Sequence, residues 1–295
     1  MRRPGIVIMG KLIGLIRPLV FFMVIAVMMG TAGYLCASFL TIAGTTGALM
    51  ALGQPLPAIF PHTFRGIFLL LVCLGVLRGV LHYFEQECNH YIAFKLLAII
   101  RHQVFAALRR LCPAKLEGKD RGNLISLITS DIELLEVFYA HTISPIAIAF
   151  LTSLIMVCWI GNFHPLCGGL ALAGYSTVGI LLPLWNGKRG AAAGMAYRQQ
   201  FGRMNSFILD SLRGLQEILQ YGRQKERLEE LKRESGTLAK ENAQLKRHEG
   251  DSAAACGACI SLFSFAMLFL SLWLNTRGSL NFSGMVLVTV SMMSS

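Results

Sequence analysis

Residues 64–113 read FRGIFLLLVCLGVLRGVLHYFEQECNHYIAFKLLAIIRHQVFAALRRLCP. The opening run, Phe64 to Tyr83, is apolar and long enough to cross a bilayer, which takes roughly 20 helical residues. The helical pattern does not stop at Tyr83. It continues through Phe94, Leu97, Ile100, Phe105 and Leu108, and Cys112-Pro113 is the first clear stop. The stretch predicts one helix that leaves the membrane and projects far beyond it. About 30 residues past the bilayer rise on the order of 45 Å.

The rest of the chain follows the same plan. It has 295 residues, 54% of them hydrophobic and only 15% charged, with a mean hydropathy of +0.57. That is less charge than soluble domains carry, and it predicts an all-α polytopic membrane protein whose helices satisfy their own backbone groups. The charge is gathered into two excursions, about residues 85–131 and 186–251. Of the 27 Lys and Arg residues, seven lie in the first excursion, thirteen in the second, and four before the first span at Arg2, Arg3, Lys11 and Arg17. So 24 of the 27 fall on one side of a single topology. Basic loops stay cytoplasmic. This predicts a cytoplasmic N-terminus, cytoplasmic excursions and a place in the inner or plasma membrane. The net charge of +11 fits the same rule, together with attraction to anionic lipid headgroups. No recognition motif supports a nucleic-acid partner.

Spans are expected at about 18–45, 64–84, 134–160, 166–185 and 253–274, with an incomplete sixth at 281–295. The first follows a basic start but is too long for a cleaved signal, so it reads as retained. The link from Gly47 to His62 holds Pro55, Pro57 and Pro61 and no charge, which suits an outer loop. The second excursion turns near Asp210 to Gly222 and returns through a very polar helix, Gln224 to Glu249. There Glu229 and Arg233 have the i,i+4 spacing of a helical ion pair. The last 15 or so residues fall short of a bilayer, so the chain reads as one membrane domain belonging to a longer protein. Gly10/Gly14, Gly75/Gly79 and Gly190/Gly194 have the spacing of close helix contacts.

Few residues suggest chemistry. Gly10-Lys11, Gly118-Lys119 and Gly187-Lys188 are followed by Leu, Asp and Arg, so no phosphate loop offers a hydroxyl to magnesium. The chain alone has no ATPase site and no catalytic residue to name. Arg78, His82 and Glu85 fall at i, i+4 and i+7 on one helical face. A charge inside a span normally faces a cavity or a partner, so Arg78 is expected to line a solute path and attract a carboxylate. The alternatives are that it snorkels to the interface or pairs with Glu85. Cys256-Gly-Ala-Cys259 has redox spacing, but it lies on a span rather than after a strand, so small packing residues explain it better. The eight cysteines are scattered through apolar stretches and predict neither a disulfide framework nor a metal site.

Two turns carry a resemblance. Gly122-Asn-Leu-Ile-Ser-Leu-Ile-Thr-Ser-Asp131 resembles the segment after the first coupling helix of ABC exporters, with Leu127 where that family often has arginine. Phe207-Ile-Leu-Asp-Ser-Leu-Arg-Gly-Leu-Gln-Glu-Ile-Leu-Gln-Tyr-Gly222 resembles their second coupling region. The resemblance covers nearly the whole chain. It implies the six-helix transmembrane domain of such an exporter, coupled to a nucleotide-binding domain that supplies ATP and magnesium chemistry. The coupling residues it implies are Leu116, Gly118, Asp120, Gly122 and Asp131 in the first turn, and Asp210, Gly214 and Glu217 in the second. Arg78 to His90, with Phe138-Tyr-Ala-His-Thr-Ile-Ser-Pro145, is similar to the CydC-like branch, which exports cysteine and glutathione. That branch implies a heterodimeric second half-transporter and offers His90 as a haem contact.

Without the family, a helix pair extended into the cytoplasm can act as a lever whose tip docks on an ATP-driven partner. A scaffold that binds without transmitting work, or a multidrug or lipid exporter, would use the same architecture. A gradient-driven transporter would be expected to show broken helices and acids at the bilayer midplane. Here the acids gather in the excursions and at the margins of spans.

Overall fold

The computed structural model describes residues 19–111 and 142–294. Among these there are helices and no strands. In chain order they are α1 (Val20–Ala51), α2 (Phe64–Leu111), α3 (Ser144–Gly161), α4 (Pro165–Ser176), a π-helical segment (Thr177–Leu181), α5 (Leu182–Arg213), α6 (Leu215–Gln220), α7 (Gln224–Thr276) and α8 (Phe282–Met293). Five helical stretches among the described residues are long and apolar enough to cross a membrane, and the shorter α8 is apolar too. α2 is helical through Leu111, and its expected stop at Cys112-Pro113 lies outside the described residues. α1 runs past the expected end of its span to Ala51.

The chain divides into two compact units, residues 1–169 with 268–295, and residues 170–267. In the first, α1 and α2 form an antiparallel hairpin in steady register. Gly47 stands against Ile67, Gly75 against Leu40, Gly33 against Leu81 and Gly30 against Glu85. The rings of Phe22 and Tyr91 meet 4.8 Å apart. Ile92, Leu96 and Ile100 repeat every four residues, so they share one face of α2. With Leu97 and Leu19 they make a buried cluster that Met23, Val104 and Ile143 flank. This packing explains why α2 stays helical beyond its apolar span: its inward stripe has something to bury against. α8 is started by Asn281, whose side-chain oxygen accepts the Gly284 N–H at 2.8 Å. Polar contacts then tie it in. Trp159 Nε1 donates to Ser291 Oγ at 3.1 Å, Ser38 Oγ donates to the Ser294 carbonyl at 3.1 Å, and the Ser271 and Thr289 hydroxyls are 3.1 Å apart. Where little hydrophobic force acts between helices in lipid, such bonds hold neighbours together. Large apolar side chains such as Phe21, Phe68, Phe150 and Phe269 point outward, as lipid-facing residues do.

In the second unit the π-helical segment ends two residues before Pro183. Proline has no N–H for the carbonyl one turn back, and its ring crowds that carbonyl, so the ladder shifts locally. The Thr177 hydroxyl donates to the Ala173 carbonyl at 2.7 Å in the turn before it. Nothing in the sequence analysis anticipated this interruption. α5 and the polar part of α7 then run antiparallel. Their rungs are Asn186 Nδ2 to Ser252 Oγ at 2.7 Å and Gln200 Nε2 to Glu234 Oε2 at 2.7 Å, followed by Arg227 against Phe207 and Ser211. The polar return and the fifth span are one helix, α7, of 53 residues, a rise of about 80 Å. Glu229 accepts from Lys232 at 2.9 Å, three residues on, rather than from Arg233. The i,i+3 rotamer reaches as easily as i,i+4 on an exposed helix.

Candidate functional site

The first candidate is a cleft of about 210 Å³ between α1 and α2, lined by Tyr34, Arg78, His82 and Glu85 with Gly30, Gly33 and Ala37. The three sequence-predicted residues Arg78, His82 and Glu85 do share it. Arg78 stands about 21 Å along α2 from Phe64 and Glu85 about 31 Å, against a hydrocarbon core of roughly 30 Å. Glu85 is 5% exposed. It is packed against Gly30, where an added Cβ would lie 3.0 Å from the Glu85 carboxyl carbon. His82 Nδ1 is 3.1 Å from Glu85 Oε2, so the neutral Nδ1–H tautomer or the imidazolium donates to the carboxylate. Arg78 has no ion pair among the described residues: Glu85 is taken by His82 instead. An exposed guanidinium thus stands two turns from a buried carboxylate in one small opening. The Tyr34 edge and the small-residue wall of Gly30, Gly33 and Ala37 were missed in the sequence. Only their three- and four-residue spacing hints at a flat helix face.

The second candidate is the elbow between α5 and α7. α5 closes with the Gly214 N–H donating to the Asp210 carbonyl at 2.9 Å. The single turn of α6 follows, and it ends with the Arg223 N–H on the Ile218 carbonyl at 3.0 Å and the Gly222 N–H on the Leu219 carbonyl at 3.2 Å. This double closure needs a left-handed residue after the cap, and Gly222 supplies it at φ 66°. A groove of about 660 Å³ opens along the elbow, and Asp210, Gly214 and Glu217 all line it, with Tyr221, Arg223 and Arg227. Leu212, Leu215, Leu219 and Tyr221 are exposed here, apolar side chains at the tip of a charged hairpin. A hydrogen bond from Arg223 holds the Glu226 carboxyl below the usual carboxylate range and keeps the guanidinium charged. Glu226 sits in the first turn of α7, where negative charge suits the helix dipole. Leu116, Gly118, Asp120, Gly122 and Asp131, along with Leu127, lie outside the described residues.

The remaining predicted residues fall elsewhere. His90 is exposed, its ring stacked on Phe94 with centroids 6.0 Å apart. It lines neither of the two openings described above. Cys256 borders a third opening with Trp185, Arg189 and His248, where the Arg189 guanidinium lies 4.1 Å over the Trp185 ring. Cys256 and Cys259 are both free thiols. Among the described residues no group of three or more His, Cys, Asp or Glu side chains could hold a metal. Of the glycine pairs, Gly75 stands near Leu40, while Gly79, Gly190 and Gly194 face open space.

Comparison with known proteins agrees with this architecture. Residues 8–294 match the model of the ABC transporter transmembrane region. A probable ABC transporter ATP-binding/permease protein of Haemophilus influenzae is 41% identical over 295 residues, covering 100% of this chain and 53% of that protein. The glutathione/L-cysteine transport system ATP-binding/permease proteins CydD and CydC of Escherichia coli are each 26% identical. They align over 61% and 69% of this chain and over 30% and 35% of their own lengths. The chain thus spans about half the length, or less, of these relatives. On the match over nearly its full length, the chain belongs to the family of ABC transporter transmembrane regions.

Proposed function

We propose that this chain is the permease part of an ATP-driven exporter that moves a small solute by alternating access. In this reading the elbow at residues 210–223 is where a nucleotide-binding domain takes hold. The observation that carries the reading is the elbow itself. Exposed Leu212, Leu215, Leu219 and Tyr221 sit at the end of a helix pair held by three polar rungs, and α7 runs without a break into the fifth span. A stiff pair of this kind passes a push at its tip along its whole length, which is what rigid-body switching needs. ATP and magnesium belong to the nucleotide-binding domain. A second half-transporter, a different subunit in the CydC-like case, completes the path. The N-terminus and both excursions lie on the cytoplasmic side of the inner membrane, because 24 of 27 basic residues then do.

For the solute we propose a small amino-acid or thiol derivative, with Arg78 meeting its carboxylate in the α1–α2 cleft. Two relatives are named as glutathione/L-cysteine transport proteins, and the cleft offers one cation and one buried carboxylate to such a molecule. ATP-dependent uptake of labelled cysteine and glutathione into inside-out vesicles tests this. Arg78→Leu is expected to abolish uptake while the protein still inserts and folds. Undiminished uptake by that variant would remove Arg78 from the path, and uptake driven by an ion gradient without ATP would remove the class.

A further inference from the structure

Most ion pairs of the second excursion among the described residues are exposed and local to α7 or the residue just before it: Arg223 with Glu226, Lys232 with Glu229 and Lys246 with Glu249. Arg227 is different. Its Nε donates to Ser211 Oγ at 2.8 Å, and the Ser211 hydroxyl in turn donates to the Phe207 carbonyl at 2.6 Å. Its Nη2 reaches the same carbonyl at 3.4 Å, and its guanidinium carbon lies 3.7 Å from the centroid of the Phe207 ring. Its Nη1 meets Glu230 at 3.0 Å, which fixes the guanidinium plane from its own helix. One side chain from the first turn of α7 therefore grips the last two turns of α5, directly behind the Gly214–Gly222 elbow.

We propose that Arg227 is the positioning residue of the coupling elbow: it locks the tip to α7 so that displacement of the tip becomes displacement of the fifth span. The proposal rests on the elbow being the docking point, as argued above. Only a planar guanidinium can stack on Phe207 while donating in its own plane to Ser211 and the Phe207 carbonyl. A lysine would supply the charge without that fork. Among the rungs between α5 and α7, this one stands closest to the tip. Gln200–Glu234 and Asn186–Ser252 lie farther along the pair and hold the helices together without restraining the elbow.

The test uses the assembled transporter in nanodiscs and compares Arg227→Lys, Phe207→Leu and Phe207→Trp with the parent. Two quantities are read: hydrogen exchange across residues 207–222, and solute moved per ATP hydrolysed. Loss of a hydrogen-bonded, stacked charge should make opening of the elbow at least about tenfold more frequent. Arg227→Lys and Phe207→Leu should therefore speed exchange at the tip and cut solute moved per ATP by a similar factor. Phe207→Trp, which keeps an aromatic face, should keep both near the parent. Faster exchange with an unchanged solute-to-ATP ratio would reduce Arg227 to a structural brace and overturn the proposal, as would unchanged exchange. Asp210→Ala and Leu215→Ala serve as controls. If neither alters the solute-to-ATP ratio, the elbow reading itself fails, whereas the exchange data on Arg227→Lys still report the lock separately.

Discussion

Replacing Gly30 by alanine sets two effects of known sign against each other. Gly30 is buried in α1, and a Cβ there would fall 2.3 Å from Ile148 Cδ1 and 3.0 Å from both Ile148 Cγ1 and the Glu85 carboxyl carbon. Glycine to alanine inside a helix gains about 0.8–1 kcal/mol from backbone propensity. Forcing a methyl group into a packed contact costs about 1–3 kcal/mol. The clash wins or nearly cancels the gain, so Gly30→Ala should be neutral to about 2 kcal/mol destabilising. The nearest obstacle is the end of a flexible side chain, which Ile148→Val removes at a cost of about 0.5–1.5 kcal/mol on its own. In the Ile148→Val background the alanine should then be less harmful or stabilising. The double-mutant coupling should favour the pair by at least about 0.5 kcal/mol. Thermal or denaturant unfolding of the four proteins in one detergent measures the cycle. Strict additivity, or a Gly30→Ala variant more stable than the parent with Ile148 intact, would refute the α1–α3 contact.

Two further outcomes follow from the elbow. Gly222→Ala must place a side chain at φ 66° and should cost about 1–2 kcal/mol, seen as faster hydrogen exchange confined to residues 214–224 with the spans unaffected. The Arg223 hydrogen bond holds the Glu226 carboxyl below its ordinary value of 4.5. Its contribution is therefore fully present above the unfolded value and is lost as pH falls through the lowered folded one. Protection at the start of α7, measured against the intrinsic exchange rate at each pH, should fall below about pH 4.5 in the parent, and Glu226→Gln should remove that acid-dependent part; an identical acid response in both proteins would contradict the pairing.

The long helices were legible because their signals are local. α2 carries an apolar stripe with no breaker before Cys112-Pro113, and it is helical over all its described length, Phe64–Leu111. The elbow was legible from Gly214 and Gly222, whose positions mark the end of α5 and the cap of α6. What the sequence withheld depends on residues far apart in the chain. The close contact falls at Gly30 rather than at a Gly-xxx-Gly pair because Ile148 and Glu85, on two other helices, stand opposite it. Arg78, His82 and Glu85 could be placed on one face, but not the burial of Glu85 against Gly30 nor its pairing with His82, three residues away, rather than with Arg78. Arg227 is one of thirteen cations in its excursion. Only the antiparallel return of α7 beside Phe207 and Ser211 sets it apart. The π-helical segment depends on how the ladder accommodates Pro183, a choice that hydrophobic periodicity does not report.

The central claim is that the Gly214–Gly222 elbow lies on the cytoplasmic face, within reach of an ATP-driven partner. Leu215→Cys in a background freed of the native cysteines puts a thiol at the exposed start of α6. An impermeant maleimide should label it in inside-out vesicles and leave it untouched in intact cells. Labelling from outside intact cells would contradict the topology, and the coupling account with it.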